Sequence, residues 1–274
     1  MTARTRIDEV STGGLRWALA DTWTLTLRGM QHWIRQPLSV VAGMSFMIML
    51  VVLFGFLFGG AMSVPGGGNY LEFLMPGMFV MTMAFGIGET MAYMAADAER
   101  GVTDRFRSMP MASSAVVVGR SITDMIYATV GLGVMVVTGL VMGWRPHGGI
   151  AETAAAIGLL LLLRFAVLWV GIYLGLVVPG PSAVNAVWTL LFPFTMVTVT
   201  FAASETMPAW LGFIAEWNPL SATVYATREL FGNPGAGGAS WVAQNATLMA
   251  IAWPLILLAV FLPLSVHRYR NLSR

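Results

Sequence analysis

The sequence predicts an all-α polytopic membrane protein with six transmembrane helices, on three observations. Of its 274 residues, 57% are hydrophobic and only 10% are charged, against about 25% charged in ordinary soluble domains. Mean hydropathy is +0.74. Six apolar runs near the ~20 residues that a span requires fall at about 38–60, 72–95, 112–141, 151–178, 184–203 and 246–266. The third observation is the placement of positive charge. With six spans, Arg4, Arg6, Arg16, Arg28, Arg35, Arg100, Arg105, Arg107, Arg120, Arg268, Arg270 and Arg274 share one side, and only Arg145 and Arg228 fall on the other. Cytoplasmic flanks attract arginine, so both termini are expected in the cytoplasm. No signal-peptide cleavage pattern precedes the first run, which is too long and starts too late to be one.

Composition also excludes chemistry. The chain has no lysine: all 15 basic residues are arginine. A Schiff-base lysine and the phosphate-binding lysine of a P-loop are therefore ruled out. Without cysteine there is no thiol nucleophile, disulfide or cysteine metal site. Net charge is +2 and the arginines are dispersed, which argues against nucleic acid. His32, His147 and His267 are scattered along the chain with no ligand spacing, so no metal site is expected.

Taken in order, residues 1–37 read as a cytoplasmic tail and an interfacial helix, and 38–274 as the transmembrane domain. Leu15, Leu19, Trp23, Leu27, Met30 and Ile34 share one stripe at helical spacing, with Asp21, Thr24, Arg28, Gln31 and Arg35 opposite. Such a helix, with Trp23 and Trp33 as anchors and Arg28 and Arg35 toward water, suits a membrane surface. An extra element packed in the bundle is the competing reading. Pro37 ends this helix. Two outer turns are glycine-rich, at 64–69 (VPGGGN) and 143–149 (GWRPHGG). The segment 204–240 is apolar in two pieces, near Pro208–Trp217 and Pro219–Phe231, each too short to span. Asn218 and Pro219 supply an N-cap and a first-turn proline. Two short helices dipping into the outer leaflet fit this pattern, with Pro208, Trp210, Trp217, Asn218 and Pro219 as their marks. One further full span would have to accommodate Glu205, Glu216, Arg228 and Glu229, at high cost.

The link 97–110 (DAERGVTDRFRSMP) crowds charges onto a short cytoplasmic segment. Arg100 and Asp104 sit at i,i+4 and can pair. Val102, Phe106 and Met109 would form a narrow apolar ridge between charges, suited to a groove on a partner protein. A solvated loop obeying the positive-inside rule accounts for the same residues. Within the spans, Glu89 and Arg164 are ionisable and are candidates for a buried pair, either structural or lining a path. Glu72, Glu152 and Asp124 lie near span ends and are expected at the interface. Gly55/Gly59, Gly139/Gly143 and Gly171/Gly175, each four apart, permit close helix approach.

Three segments resemble the ABC-2 type permeases, in the drug-resistance branch typified by daunorubicin exporters: 70–77 (YLEFLMPG), 99–120 (ERGVTDRFRSMPMASSAVVVGR) and 207–230 (MPAWLGFIAEWNPLSATVYATREL). The resemblance runs along nearly the whole chain. It implies a six-helix half-transporter that pairs with a second permease copy, or a homologous permease, and binds two nucleotide-binding ATPase subunits. Mg-ATP would then belong to the partner, with no cofactor on this chain and no catalytic residue. By the same resemblance 99–110 is the coupling link, with Glu99, Arg100, Gly101, Asp104, Arg105 and Arg107 in its polar contacts and turn. Phe106 and Met109 form its apolar plug and Pro110 ends it. The cargo is expected to be a hydrophobic or amphipathic small molecule, exported across a bacterial inner membrane. The alternative is a proton-coupled secondary multidrug transporter working through Glu89. Such transporters often carry internal repeats, and none is visible between the two halves.

Overall fold

The computed structural model describes Trp23, Thr26, Leu27 and Met30, then residues 37–59, 64, 67–99, 113–178, 180–238 and 240–271. Its elements are α1 (Pro37–Phe58), α2 (Tyr70–Glu99), α3 (Ser113–Met142), α4 (Ile150–Val177), α5 (Gly180–Met196), a 3-10 turn (Ser204–Thr206), α6 (Ala209–Trp217), α7 (Pro219–Phe231), α8 (Trp241–Gln244) and α9 (Ala246–Asn271). Among the described residues there is no strand. Among the described residues four segments are long and apolar enough to cross a membrane: Tyr70–Asp97, Val118–Met142, Ile150–Val177 and Ala246–Tyr269. Shorter apolar helical stretches occupy Gly43–Phe58 and Ser182–Met196.

The expected runs coincide with helices, with shifted boundaries: the last continues to Asn271 rather than 266 and the fifth begins at Gly180 rather than 184. The second helix continues to Glu99, so Asp97 and Glu99, expected in the link, belong to its last turns. At 30 residues it measures about 45 Å, well beyond the ~30 Å hydrocarbon core. The fifth run, expected to reach residue 203, stops being helical at Met196. Pro193 lies inside its last turn, and the chain beyond finds its hydrogen-bond partners elsewhere, as described below.

The central pair is α2 and α4, with α7 wedged between α2, α4 and α9. Helix α5 lies on α2, α3 packs on α2 and α4, and α1 on α2 and α3. Small residues set the approach of the central pair. A Cβ on Gly175 would lie 2.6 Å from Met94 Cβ and 2.7 Å from the Met91 carbonyl, and one on Gly171 3.0 Å from the Ile87 carbonyl. These glycines remove the bulk that would hold the helices apart. Gly139 and Gly55 instead receive side chains, of Met75 and of Met142 and Leu71. Helices α1, α3 and α9 turn Phe56, Leu57, Val137, Val141, Leu255 and Ile256 outward, as expected of surfaces without water to face.

The two ends of the bundle differ. At the end holding Tyr70, the α3–α4 turn docks on α7: His147 and Gly148 donate their amides to the Phe231 carbonyl at 2.7 and 3.0 Å. Phe79, Trp144 and Phe231 pack edge-to-face there, with centroids 5.1–6.0 Å apart. Glu72, expected only to meet the interface, lies 3.0 Å from His147 Nε2. At the Glu99 end, Tyr269 of α9 joins Met94, Trp169 and Leu176. Thr26 is fully buried on α3, where its hydroxyl donates to the Gly119 carbonyl at 3.3 Å.

Gly175→Leu is expected to cost at least about 1–3 kcal/mol through overpacking, because backbone atoms block the new side chain. Gly158→Ala, which meets open space in the interior of α4, is expected to raise stability by up to about 1 kcal/mol. Melting temperatures of the two purified variants in detergent check this contrast.

Candidate functional site

A charged layer crosses the interior where α2, α3 and α4 meet. Arg120 and Asp124, one helical turn apart on α3, pair at 2.8 Å through Nη2 and Oδ1. Asp124 is buried, and its Oδ2 accepts from the Thr90 hydroxyl of α2 at 2.8 Å. The same hydroxyl accepts from Arg164 Nη2 of α4 at 3.3 Å. Arg164 Nη2 also lies 4.0 Å from Asp124 Oδ2. One carboxylate therefore faces two guanidinium groups, one of them almost wholly buried. Gly86 makes the arrangement possible, since a side chain begun there would run into the Arg164 guanidinium. Arg120 also lies over the Tyr93 ring, 4.2 Å from its centroid.

Arg164 and Glu89 were candidates for a buried pair or a path; among the described residues the carboxylate within 4.0 Å of Arg164 is that of Asp124. This layer corrects one expectation. Asp124 was expected at the interface and is instead buried. The i,i+4 spacing of Arg120 and Asp124 inside an apolar run was a readable signal of that pair; the approach of Thr90 and Arg164 from two other helices was not. Glu89 and Arg164 still border one cavity of about 70 Å³ between α1, α2, α3 and α4.

A second polar assembly holds the irregular backbone after α5. Asn218 caps α7 by accepting from the Leu220 amide at 2.9 Å. Its Nδ2 donates to the carbonyls of Phe194 and Val197, each at 2.9 Å. Ser221 accepts from the Val199 amide at 3.1 Å. Arg228, counted from sequence as an outer charge, is fully buried. Its Nη2 donates to the Val199 and Thr200 carbonyls at 2.8 and 3.2 Å, and its Nε to the Phe73 carbonyl at 3.0 Å. The guanidinium stacks on the Phe73 ring, 3.6 Å from the centroid. Glu216 is also buried; it accepts from Ser204 Oγ at 2.6 Å and from the Ser240 amide at 3.0 Å. Of the four charges that made this segment expensive to bury, Glu205 and Glu229 stay exposed, Arg228 is matched by backbone carbonyls, and Glu216 by a hydroxyl and an amide, which composition does not reveal.

The remaining expected site residues are placed as follows. Pro208 precedes α6, Trp210 and Trp217 lie exposed on it, and Pro219 is the first residue of α7. Of the expected interfacial residues, Trp23 is helical and exposed, while Arg28, Trp33 and Arg35 lie outside the described residues. Glu99 is the last residue of α2. Arg100, Gly101, Asp104, Arg105, Phe106, Arg107, Met109 and Pro110 lie outside the described residues.

Asp124→Asn removes the charge between two arginines, and a broken buried pair typically costs about 3–5 kcal/mol. Glu89→Gln, which removes no salt bridge among the described residues, is expected to cost less than Asp124→Asn. Thermal unfolding of both purified variants distinguishes them. Arg228→Met strands the Phe73, Val199, Thr200 and Gly235 carbonyls at about 1–3 kcal/mol each, and is expected to abolish recovery of monodisperse protein on gel filtration.

Comparison with known proteins points to a family of membrane transporters. Residues 20–231 match the family described as ABC-2 type transporter. The daunorubicin resistance ABC transporter permease protein DrrB1 of Streptomyces coeruleorubidus is 31% identical over 255 residues, covering 93% of this chain and 87% of that protein. The "Putative transport permease ycf38" of Porphyra purpurea is 27% identical over 208 residues, covering 74% of this chain and 71% of the relative. Its counterpart in Cyanophora paradoxa is 24% identical over 237 residues, covering 83% and 80%. With the family matched over most of its length and a drug-resistance permease related along nearly all of it, this chain is a membrane permease of the ABC-2 type transporter family.

Proposed function

We propose that the chain is the permease subunit of an ATP-driven exporter that moves a hydrophobic or amphipathic small molecule out of a bacterial cell. The observation that carries this reading is the 31% identity, along 93% of the chain, to a daunorubicin resistance permease. The chain has no lysine for a P-loop, which suits ATP hydrolysis on a separate nucleotide-binding subunit. Two such subunits and two permeases make the working assembly, and Mg-ATP is bound by the partner.

In this reading α1 to α5 and α9 are six spans, with both termini in the cytoplasm and the Tyr70 end facing outward. The arginine asymmetry supports that orientation. Helices α6 and α7 form a re-entrant hairpin in the outer leaflet. Irregular backbone at membrane depth is tolerated where protein satisfies it, and Asn218, Ser221 and Arg228 supply that satisfaction. Exposed Trp210, Phe213, Trp217 and Trp241 suit the aromatic belt of a membrane interface. Trp23 and Leu27 point outward while Thr26 packs on α3, which suits an N-terminal helix lying on the inner surface. The link 99–110 passes the motion of the ATPase to α2 and α3, the two helices it joins.

Phe106→Ala is expected to lose ATP-driven transport in vesicles, or co-purification of the ATPase, while the permease still inserts in the membrane. Transport and co-purification that both persist unchanged would remove the coupling role from 99–110.

A further inference from the structure

A groove of about 450 Å³ runs between α3 and α4 on the outside of the bundle. Val118, Ile122, Met125 and Val130 of α3 form its wall, and Phe165 and Trp169 of α4 its floor. Val118, Ile122 and Val130 are exposed, and no charged residue lines it. Thr129 turns its hydroxyl back to the Met125 carbonyl at 2.8 Å. From Val118 to Val130 the wall is about 18 Å long, close to the ~15 Å of hydrocarbon in one leaflet of a ~30 Å core. A neighbouring helix, about 10–12 Å across, would fill roughly 1,400–2,000 Å³ over that length. The groove is therefore sized for one extended hydrocarbon chain, which would touch two helices at once.

Contacts between helices fix where the groove ends. Asp124 of α3 and Arg164 of α4 lie at one level, 4.0 Å apart. The two helices run antiparallel, so about 7.5 Å further toward the Glu99 end Trp169 stands level with the turn that holds Val118. Ser265 of α9 donates to the Trp169 carbonyl at 3.2 Å, and Tyr269 packs in the same cluster as Trp169. Arg268 lies between Ser265 and Tyr269, about 4.5 Å beyond Ser265 along α9. It is exposed and pairs with no carboxylate among the described residues. No acidic residue follows Glu229 in the sequence, whereas Arg270 and Arg274 follow Arg268. An apolar channel of chain width thus ends beside a cationic helix end, and basic sites next to spans attract anionic lipid head groups.

We propose that this groove binds one anionic phospholipid, with an acyl chain laid along α3 against Phe165 and Trp169 and its phosphate at Arg268. The site requires only that the chain be embedded in a bilayer, and stands independently of the direction and energy source of transport.

The test titrates full-length protein, stripped of lipid in detergent, with dioleoyl phosphatidylglycerol or dioleoyl phosphatidylcholine and reads binding by native mass spectrometry. The two lipids carry the same chains and differ in head-group charge. Wild type is expected to hold one tightly bound lipid per chain and to favour the anionic one about fivefold, the effect of one arginine near a charged surface. Ile122→Trp, which fills the groove from an exposed position, is expected to lose the tight site for both lipids. Arg268→Gln is expected to keep the site and lose the preference. Leu255→Trp, which adds similar bulk on the outward face of α9, is expected to change neither. Equal binding of the two lipids by wild type overturns the proposal, as does a tight site that survives Ile122→Trp or a preference that survives Arg268→Gln. The same spectra report subunit number. A complex that falls from two copies to one in Ile122→Trp assigns the groove to a second copy of the chain and overturns the lipid.

Discussion

An interrupted helix in an apolar medium leaves carbonyls that water cannot reach, and the structure depends on how those carbonyls are satisfied. Beyond Met196 the chain stops being helical, and three side chains of the following hairpin take over its hydrogen bonds. Asn218 reaches the Phe194 and Val197 carbonyls, Ser221 the Val199 amide, and Arg228 the Val199 and Thr200 carbonyls. Arg228 also binds the Phe73 carbonyl, so one guanidinium ties α2, α7 and the broken segment together. A planar fork with five donors can do this where an ammonium cannot. Remove it, and α7 loses its bonds to the Phe73, Val199 and Thr200 carbonyls at the Tyr70 end.

The charged layer on the other side of the bundle obeys a different logic. There the donors and acceptors are side chains, and Asp124 serves two arginines at once. Buried charge of this kind is costly unless paired, so its value lies in holding α2, α3 and α4 in register. In the proposed mechanism α2 and α3 are the helices joined by the coupling link. A rigid hydrogen-bonded end and a charged layer near the link would divide the bundle into an anchored part and a driven part. Glu89 and Arg164, on one small cavity, stand at the edge of that driven part.

Much of the fold was legible in the sequence because apolar runs of span length admit few alternatives. The short helices near 208–217 and 219–231 were readable too, from Asn218-Pro219 and from the insufficient length of each piece. What escaped was every contact between distant positions. Glu89 and Arg164 looked like natural partners because both are ionisable residues inside spans. The geometry also brings Asp124 to within 4.0 Å of Arg164, since Thr90 and Gly86 shape the pocket that receives the guanidinium, while Glu89 borders the same cavity. Arg228 looked like a solvent-side charge because composition cannot show that carbonyls, rather than carboxylates, will meet it. The early end of α5 was hidden for the same reason: its partners come from residues 218–228.

The central claim is that this permease draws its energy from a nucleotide-binding partner. Uptake of a lipophilic dye into inverted vesicles containing both proteins measures it most directly. The account predicts uptake that requires ATP, is blocked by vanadate and persists when the proton gradient is collapsed. Uptake driven by the proton gradient without nucleotide would contradict it.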